Sequence, residues 1–194
     1  MHLKNLKLYQ FKNHKETNLI FDKPVTCFVG DNGVGKTNIL DSIHYLSLTK
    51  SYFNYVDAEN VKFDSKYFNI KGVFEKNSNI QIVECNYHIG KKKVVKLDSK
   101  KYTKFSEHIG EFPIIIISPT DTNLILENSD VRRKYLDSTI AMYNKNYLQV
   151  LIKYNKALKQ RNFLLKKYAE SGFYDNVSLE LYEDQIIKNG DILY

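Results

Sequence analysis

The sequence of 194 residues has no tryptophan and contains only three prolines, two methionines and two cysteines. Cys27 and Cys85 both lie in apolar stretches, which predicts small buried thiols in a reducing compartment rather than a disulfide or a metal site. The five histidines are scattered without the spacing of metal ligands. The longest purely aliphatic run, residues 114–117, is far shorter than the roughly 20 residues of a transmembrane helix. The N-terminal residues lack the apolar core of a signal peptide, so we expect a cytoplasmic protein with no membrane partner.

The overall composition is that of a folded domain with a basic surface. Hydrophobic residues make up 43% of the chain, enough for a core in one domain, or in one domain with a small subdomain. There are 29 basic and 22 acidic residues, which gives a net charge of +7. A basic excess is compatible with nucleic acid as a partner, but a solvated lysine-rich surface has the same composition. The charge alone therefore leaves both interpretations open.

The most specific pattern in the chain is the run from residue 30 to residue 37, which has the form G-x-x-x-x-G-K-[ST] of a phosphate-binding loop. Residues 25–29 are apolar and β-branched, which predicts a buried strand before the loop. Apolar residues recur at helical spacing after Thr37. The order of strand, loop and helix is the one that this motif requires. The alternative, a chance glycine-rich turn, does not explain so long a match in this context.

The residue types in this loop suit the binding of a triphosphate. Glycines allow successive backbone N–H groups to point into one concavity, and the start of the following helix adds partial positive charge. Lys36 would contact the β- and γ-phosphates, and the Thr37 hydroxyl would bind Mg²⁺. The predicted loop contacts to nucleotide are Gly30, Asp31, Asn32, Gly33, Val34, Gly35, Lys36 and Thr37.

The rest of the first part of the chain predicts strands. We expect strands near residues 2–10 and 17–21, and alternating runs at residues 67–74, 80–88 and 94–97 predict an antiparallel meander inserted after the first helix. Residues 103–110 predict a short helix. The four isoleucines at 114–117 predict a buried parallel strand.

From Ser129 onward the pattern is helical, with Ser129 or Asp130 as the expected N-cap. The apolar positions between Tyr147 and Tyr168 alternate at four and three residues, although Arg161 occupies one of the expected positions, and this spacing favours a short heptad seam between paired helices. An ordinary amphipathic helix packed on a core would show the same spacing. Gly172 is expected to end this helix, and residues 177–189 to form another.

Several separated stretches resemble the RecF family of bacterial recombination and repair ATPases, which is related to SMC and ABC-type enzymes. They are the opening LKNLKLYQFKNHKETNLIF, the loop segment GDNGVGKTNILDSIHYLSLTKSY, the segment ISPTDTNLILENSDVRRKYLDSTI, and the helical YNKALKQRNFLLK and LELYEDQIIKNGDIL. The resemblance implies an α/β fold, namely a P-loop ATPase lobe of the ABC/SMC head type with an inserted antiparallel β-meander. It places this lobe in residues 1–125 and a helical arm subdomain in residues 126–194.

The resemblance adds three nucleotide contacts to those of the loop: Asn38, and the pair Lys12 and Asn13 after the first strand. The family more often has arginine where Lys12 stands, and a lysine lacks the bidentate fork of arginine. The family also has an arginine shortly after the Lys50-Ser51 pair, where this chain continues with aromatic residues.

Proteins of this family are considerably longer, and their second half carries the signature motif and the Walker B carboxylates. No aliphatic strand that ends in an acidic pair follows Thr37 in this sequence. We therefore expect an N-terminal fragment without a complete catalytic set, and near-inactivity of this piece alone in a family of slow DNA-dependent ATPases.

The resemblance implies roles in DNA replication, repair, recombination and the SOS response. The implied cofactors are ATP and Mg²⁺, and the implied partners are single-stranded, gapped or linear double-stranded DNA, RecO and RecR. ATP would close a homodimer on DNA so that recombinase is loaded. Another P-loop protein, such as an SMC-like repair ATPase or a kinase, is the alternative, and a structural module that keeps the loop only for folding is a third.

Two basic groups are weaker candidates for contact with DNA or a partner. Arg132 and Arg133 stand near a helix start, where a salt bridge with a neighbouring aspartate is the alternative. Lys91, Lys92 and Lys93 belong to a lysine cluster that would track phosphates. Lysines also protect the edges of sheets against aggregation, which is the alternative for this cluster.

Overall fold

The structure is a computed structural model and describes residues 1–172 and 174–194. The described residues divide into two compact units, a first unit of Met1–Ile117 and a second unit of Ser118–Tyr194. The domain boundary predicted at residue 125 lies shortly after the start of the second unit. No helix among the described residues is both long and apolar enough to cross a membrane.

Within the described part of the first unit, six strands form one antiparallel sheet in the order β2-β1-β3-β4-β5-β6. The strands are β1 (His2–Phe11), β2 (His14–Ile20), β3 (Tyr67–Lys76), β4 (Asn79–His88), β5 (Val94–Leu97) and β6 (Lys100–Lys101). The predicted meander is confirmed, and so is the first hairpin. The sequence did not indicate that hairpin and meander join through the pairing of β1 with β3, for example Leu6 with Gly72.

The helix α1 (Lys36–Leu48) packs against one face of this sheet, and the core lies between them. Phe11, Tyr45 and Phe68 meet edge to face in this core, with ring centroids 5.3 to 6.0 Å apart. Gly72 in β3 allows the close approach, because a Cβ there would lie 2.6 Å from Cδ1 of Leu46. The sheet therefore fixes the position of the helix that follows the phosphate loop.

Two predicted strands are wrong. Residues 25–29 and 114–117 form no strand, and none of the described residues pairs with them in a β-ladder. Val29 is 90% exposed and Ile117 is 84% exposed. An apolar run forms a buried parallel strand only where it can pair with neighbouring strands. The six strands of this sheet pair with one another, and neither run is among them.

The two cysteines differ accordingly. Cys27 lies in the first of these extended runs and is exposed, which corrects the expectation that it is buried. Cys85 in β4 is buried as predicted, and its burial raises the pKa of the thiol to about 12.

The second unit is helical. Its helices are α2 (Asn123–Leu126), α3 (Ser129–Tyr143), α4 (Lys145–Ser171) and α5 (Asn176–Leu193). The helices α4 and α5 run antiparallel, since Arg161 pairs with Glu183 at 3.0 Å and the rings of Tyr154 and Tyr194 meet at 6.1 Å. The predicted pairing of helices is thereby confirmed. Gly172 ends α4 with φ 66°, as predicted, whereas the N-cap of α3 is Asn128 rather than Ser129 or Asp130.

Candidate functional site

The loop of residues 30–37, called the phosphate loop below, has a backbone that glycine makes possible. Gly30, Gly33 and Gly35 have φ values of 146°, 86° and 105°, which residues with a Cβ rarely adopt. Among the described residues, no side chain caps the start of α1 at Gly35. The N–H groups of the first helical turn are thus left for an anion, with the helix dipole favouring negative charge there.

Lys36 and Thr37 occupy the end of this loop. The Lys36 ammonium group donates hydrogen bonds to the carbonyl oxygens of Gly30 and Asp31, each at 2.7 Å. These bonds hold the positive charge over the loop itself. Thr37 is exposed in the first turn of α1, so its hydroxyl group is accessible to a metal ion bound to phosphate. Their predicted roles in binding nucleotide remain predictions that this geometry fits.

The turn between β1 and β2 braces the loop from the side through Asn13. Its Nδ2 donates to the Gly33 carbonyl oxygen at 3.0 Å, and its Oδ1 accepts a hydrogen bond from Asn38 Nδ2 at 2.8 Å. Asn13 and Asn38, both predicted to contact nucleotide, are therefore joined to the loop and to each other. Lys62, which the sequence did not indicate, donates to the Asn13 carbonyl oxygen at 3.3 Å.

His14 is a second brace that the sequence did not reveal. Its Nε2 lies 3.1 Å from the Gly35 carbonyl oxygen, and its Nδ1 lies 2.9 Å from the Thr17 hydroxyl oxygen. A carbonyl oxygen can only accept, so Nε2 carries the hydrogen, and in the neutral ring Nδ1 accepts from Thr17. This arrangement fixes the ring beside the N-cap of α1.

Two glycine substitutions separate crowding from backbone strain in the phosphate loop. A Cβ at Gly35 would lie 2.5 Å from His14 Nε2 and 2.6 Å from Asn13 Oδ1, whereas a Cβ at Gly33 would meet nothing within 4 Å. Both positions have positive φ, so alanine is strained at each. We expect Gly35→Ala to weaken ATP binding roughly tenfold more than Gly33→Ala, because only Gly35→Ala displaces the bracing side chains. Titration calorimetry of both variants tests this, and equal losses would contradict it.

Lys12 pairs with a buried carboxylate that the sequence did not indicate. Its ammonium group is 2.7 Å from Asp41 Oδ2, and the Asp41 side chain is fully buried. Asp41 also accepts hydrogen bonds from the Ser51 hydroxyl and the Tyr52 backbone N–H, each at 2.7 Å. This Asp41 cluster ties α1 to the β1–β2 turn and to the segment after α1. Lys12 therefore supports α1 through Asp41, and its predicted contact with nucleotide stays a prediction.

The weaker candidates fall into different environments. Lys91 and Lys92 are exposed, but the Lys93 side chain is only 9% exposed and pairs with Asp57 at 2.9 Å. In the second unit, Arg133 Nη2 pairs with Asp130 Oδ1 at 2.9 Å, as in the salt-bridge alternative. Arg132 donates to the carbonyl oxygen of Glu127 at 3.0 Å.

No group of three or more His, Cys, Asp or Glu side chains could hold a metal ion within the described ranges.

Comparisons with known proteins show the family of this chain. The family described as "AAA ATPase domain" matches residues 1–189. The DNA replication and repair protein RecF of Flavobacterium johnsoniae is 44% identical over 194 residues, which is 100% of this chain and 54% of that protein. The chain carries an AAA ATPase domain and belongs to the RecF family. It spans about half the length of the curated RecF proteins that it matches.

Solved structures support the RecF fold. A structure of the recombination mediator protein RecF-ATP in the RecFOR pathway has a TM-score of 0.91 at 35% identity, and the match covers 98% of this chain and 51% of that one. A structure from work on ATP-driven dimerization and DNA-stimulated activation of SMC ATPases has a TM-score of 0.56 at 19% identity, covering 72% of this chain and 99% of that one. The second likeness shows the fold alone. The predicted α/β class, a P-loop ATPase lobe of the RecF and SMC head type, is confirmed.

Proposed function

We propose that this chain supplies the triphosphate-binding part of a RecF-type ATPase that acts in DNA replication and repair. The observation that carries the proposal is the phosphate loop, with three glycines at positive φ, an uncapped helix start, and the Lys36 ammonium group held across it. The names of the RecF relatives and the RecF-ATP structure support ATP as the nucleotide and DNA repair as the process.

The residues present fit ATP with Mg²⁺. Backbone N–H groups of the loop and of the first turn of α1 would bind the phosphates, Lys36 would neutralise charge on the β- and γ-phosphates, and Thr37 would bind the metal ion. Mg²⁺, when bound, would offset part of the negative charge of the phosphates. Asn13 and His14 keep the loop in position through its carbonyl oxygens.

Hydrolysis needs a group that orients water, and the acidic residue on α1 is not suited to that task. Asp41 already accepts hydrogen bonds from Lys12, Ser51 and the Tyr52 N–H, and it is buried away from solvent. We therefore propose that the chain binds ATP but needs a carboxylate and a signature motif from elsewhere in the RecF protein for turnover. In the whole protein, ATP would close a homodimer on single-stranded, gapped or linear double-stranded DNA and load recombinase with RecO and RecR.

The experiment compares ATP binding, DNA binding and phosphate release by residues 1–194 with those of Lys36→Ala. We expect the unchanged chain to bind Mg-ATP and gapped DNA with phosphate release at the background level, and Lys36→Ala to lose ATP binding. Rapid phosphate release by this chain alone would contradict the incomplete site. Phosphate transfer to a nucleoside acceptor would favour a kinase, and absence of ATP binding in both proteins would favour a structural module.

A further inference from the structure

A basic pocket lies at the far end of the sheet in the first unit. Its volume is about 460 Å³, within the range of small-molecule sites. It opens between the turn after β4, the strand β6 and the short 3₁₀ turn Phe105–Glu107. The lining residues on which the inference rests are Tyr87, Lys91, Lys92, Lys101, Tyr102 and Phe105.

The charge of the pocket is positive and uncompensated. Lys91, Lys92 and Lys101 are exposed, and among the described residues their ammonium groups have no hydrogen bond or ion pair with a side chain. The acidic residue in the lining is Asp57, whose carboxylate is paired with Lys93 at 2.9 and 3.0 Å. The three exposed ammonium groups therefore remain free for an anion.

The floor of the pocket is fixed by a compact polar network. Lys93 donates to the Tyr45 hydroxyl oxygen at 2.9 Å, to both oxygens of Asp57 and to the Thr49 carbonyl oxygen, and the Tyr45 hydroxyl group donates to Asp57. Burial raises the pKa of the Tyr45 hydroxyl group well above its ordinary value, so this group stays protonated as a donor. Because Tyr45 belongs to α1, the floor is anchored to the helix that starts at the phosphate loop.

The walls add aromatic surface to the positive charge. Phe105 is 37% exposed, and Tyr102 is half-buried against His108, with ring centroids 5.1 Å apart. Lysines beside exposed rings are the combination that binds single-stranded nucleic acid, since ammonium groups contact phosphates and rings stack on bases. An acidic protein segment would use the charge but gain little from the rings, and a duplex keeps its bases stacked inside.

We propose that this pocket binds one nucleotide unit of a single DNA strand. The phosphates on either side of that unit would contact Lys91, Lys92 and Lys101, and its base would lie against Phe105 and Tyr102. This inference rests on the proposed function and assigns a site to its DNA contact. It also gives the lysines different roles. Lys93 stabilises the floor of the pocket through Asp57 and Tyr45, whereas the other three lysines would contact DNA.

The test measures binding of a fluorescent oligothymidine to residues 1–194 by anisotropy over a range of salt concentrations. The double variant Lys91→Ala/Lys101→Ala is compared with Lys7→Ala/Lys66→Ala, which removes equal charge from exposed lysines outside the pocket. We expect the first to weaken binding about tenfold and to lower the salt slope by about 1.4, since each phosphate contact on a single strand contributes about 0.7. The second should change neither.

A matched aromatic pair tests base contact. Phe105→Leu keeps an apolar side chain but removes the ring from the pocket, and Phe63→Leu does the same at an exposed site outside it. We expect Phe105→Leu to weaken binding of oligothymidine at least fivefold, because stacking on one base contributes about 1–3 kcal/mol. It should leave binding of an abasic strand of equal length unchanged, whereas Phe63→Leu should affect neither ligand.

Several outcomes would overturn the inference. Equal binding by the two double lysine variants would exclude the pocket, and if both still bound gapped DNA and ATP, the proposed function would stand. Displacement of the strand by polyglutamate at equal charge concentration would indicate a site for acidic protein. Displacement by thymidine monophosphate at equal concentration would indicate a site for free nucleotide. Absence of all DNA binding by the unchanged chain, with ATP bound, would contradict the DNA contact in both proposals.

Discussion

Replacing Lys36 by alanine is expected to weaken binding of Mg-ATP by about 100-fold. The Lys36 ammonium group spans the phosphate loop between the carbonyl oxygens of Gly30 and Asp31, where it can turn toward a triphosphate. Hydrogen bonds to charged groups contribute about 1.5–3 kcal/mol each, so the loss of contacts to two phosphates costs about 3 kcal/mol. At about 1.4 kcal/mol per tenfold change in affinity, this is two orders of magnitude.

Two further variants test whether the loss of affinity is due to the charge of Lys36. Lys36→Met keeps most of the aliphatic stem and should lose as much affinity as Lys36→Ala. Lys15→Ala removes an exposed lysine of β2 that follows His14 but lies outside the loop, and this variant should bind ATP as the unchanged chain does. Titration calorimetry gives the dissociation constants, and circular dichroism shows whether each variant is folded. A threefold or smaller loss in folded Lys36→Ala would contradict the assigned role.

Replacing Asp41 by alanine is expected to lower the free energy of unfolding of the first unit by about 3–5 kcal/mol, the usual cost of breaking a buried ion pair. The change would leave the ammonium group of Lys12, whose side chain is only 14% exposed, without its carboxylate partner. It would also leave the Ser51 hydroxyl group and the Tyr52 N–H without the acceptor that they now have in Asp41. Urea unfolding monitored by circular dichroism measures the loss.

A double-mutant cycle separates the lost pair from the cavity that alanine leaves. The cycle consists of Lys12→Met, Asp41→Leu and the double variant Lys12→Met/Asp41→Leu. The double variant replaces both charges by apolar groups of similar size, and such replacements of buried ion pairs are often close to neutral. We expect the double variant to be more stable than Asp41→Ala, with a favourable coupling between the two positions. An Asp41→Ala protein within 1 kcal/mol of the unchanged chain would show that the Asp41 cluster does not stabilise α1.

The phosphate loop could be predicted because its conformation depends on residues adjacent in the chain. Three glycines, a lysine and a helix start within residues 30–37 determine both the positive φ values and the uncapped start of α1. The meander was predictable for a similar reason. Alternation along β3 and the turn at Asn77 and Ser78, both with positive φ, define a two-residue hairpin locally.

The errors concern partners that are distant in sequence. Residues 25–29 have the composition of a buried strand, but composition does not show whether a neighbouring strand lies beside them. The pairing of Lys12 with Asp41 could not be predicted for the same reason, because no pattern in the sequence around either residue indicates the other as its partner. Lys92 and Lys93 look equivalent in the sequence, yet only Lys93 meets Asp57 and Tyr45.

The most direct test is titration of ¹⁵N-labelled residues 1–194 with Mg-ATP, followed by NMR of the backbone amide groups. The central claim is that the triphosphate is bound by amide groups of the phosphate loop at the start of α1. We predict that the largest chemical-shift changes occur at Gly33, Gly35, Lys36 and Thr37, and that they disappear in Lys36→Ala. Saturating ATP that leaves these four amide signals unchanged, or shifts only signals elsewhere in the chain, would contradict the claim.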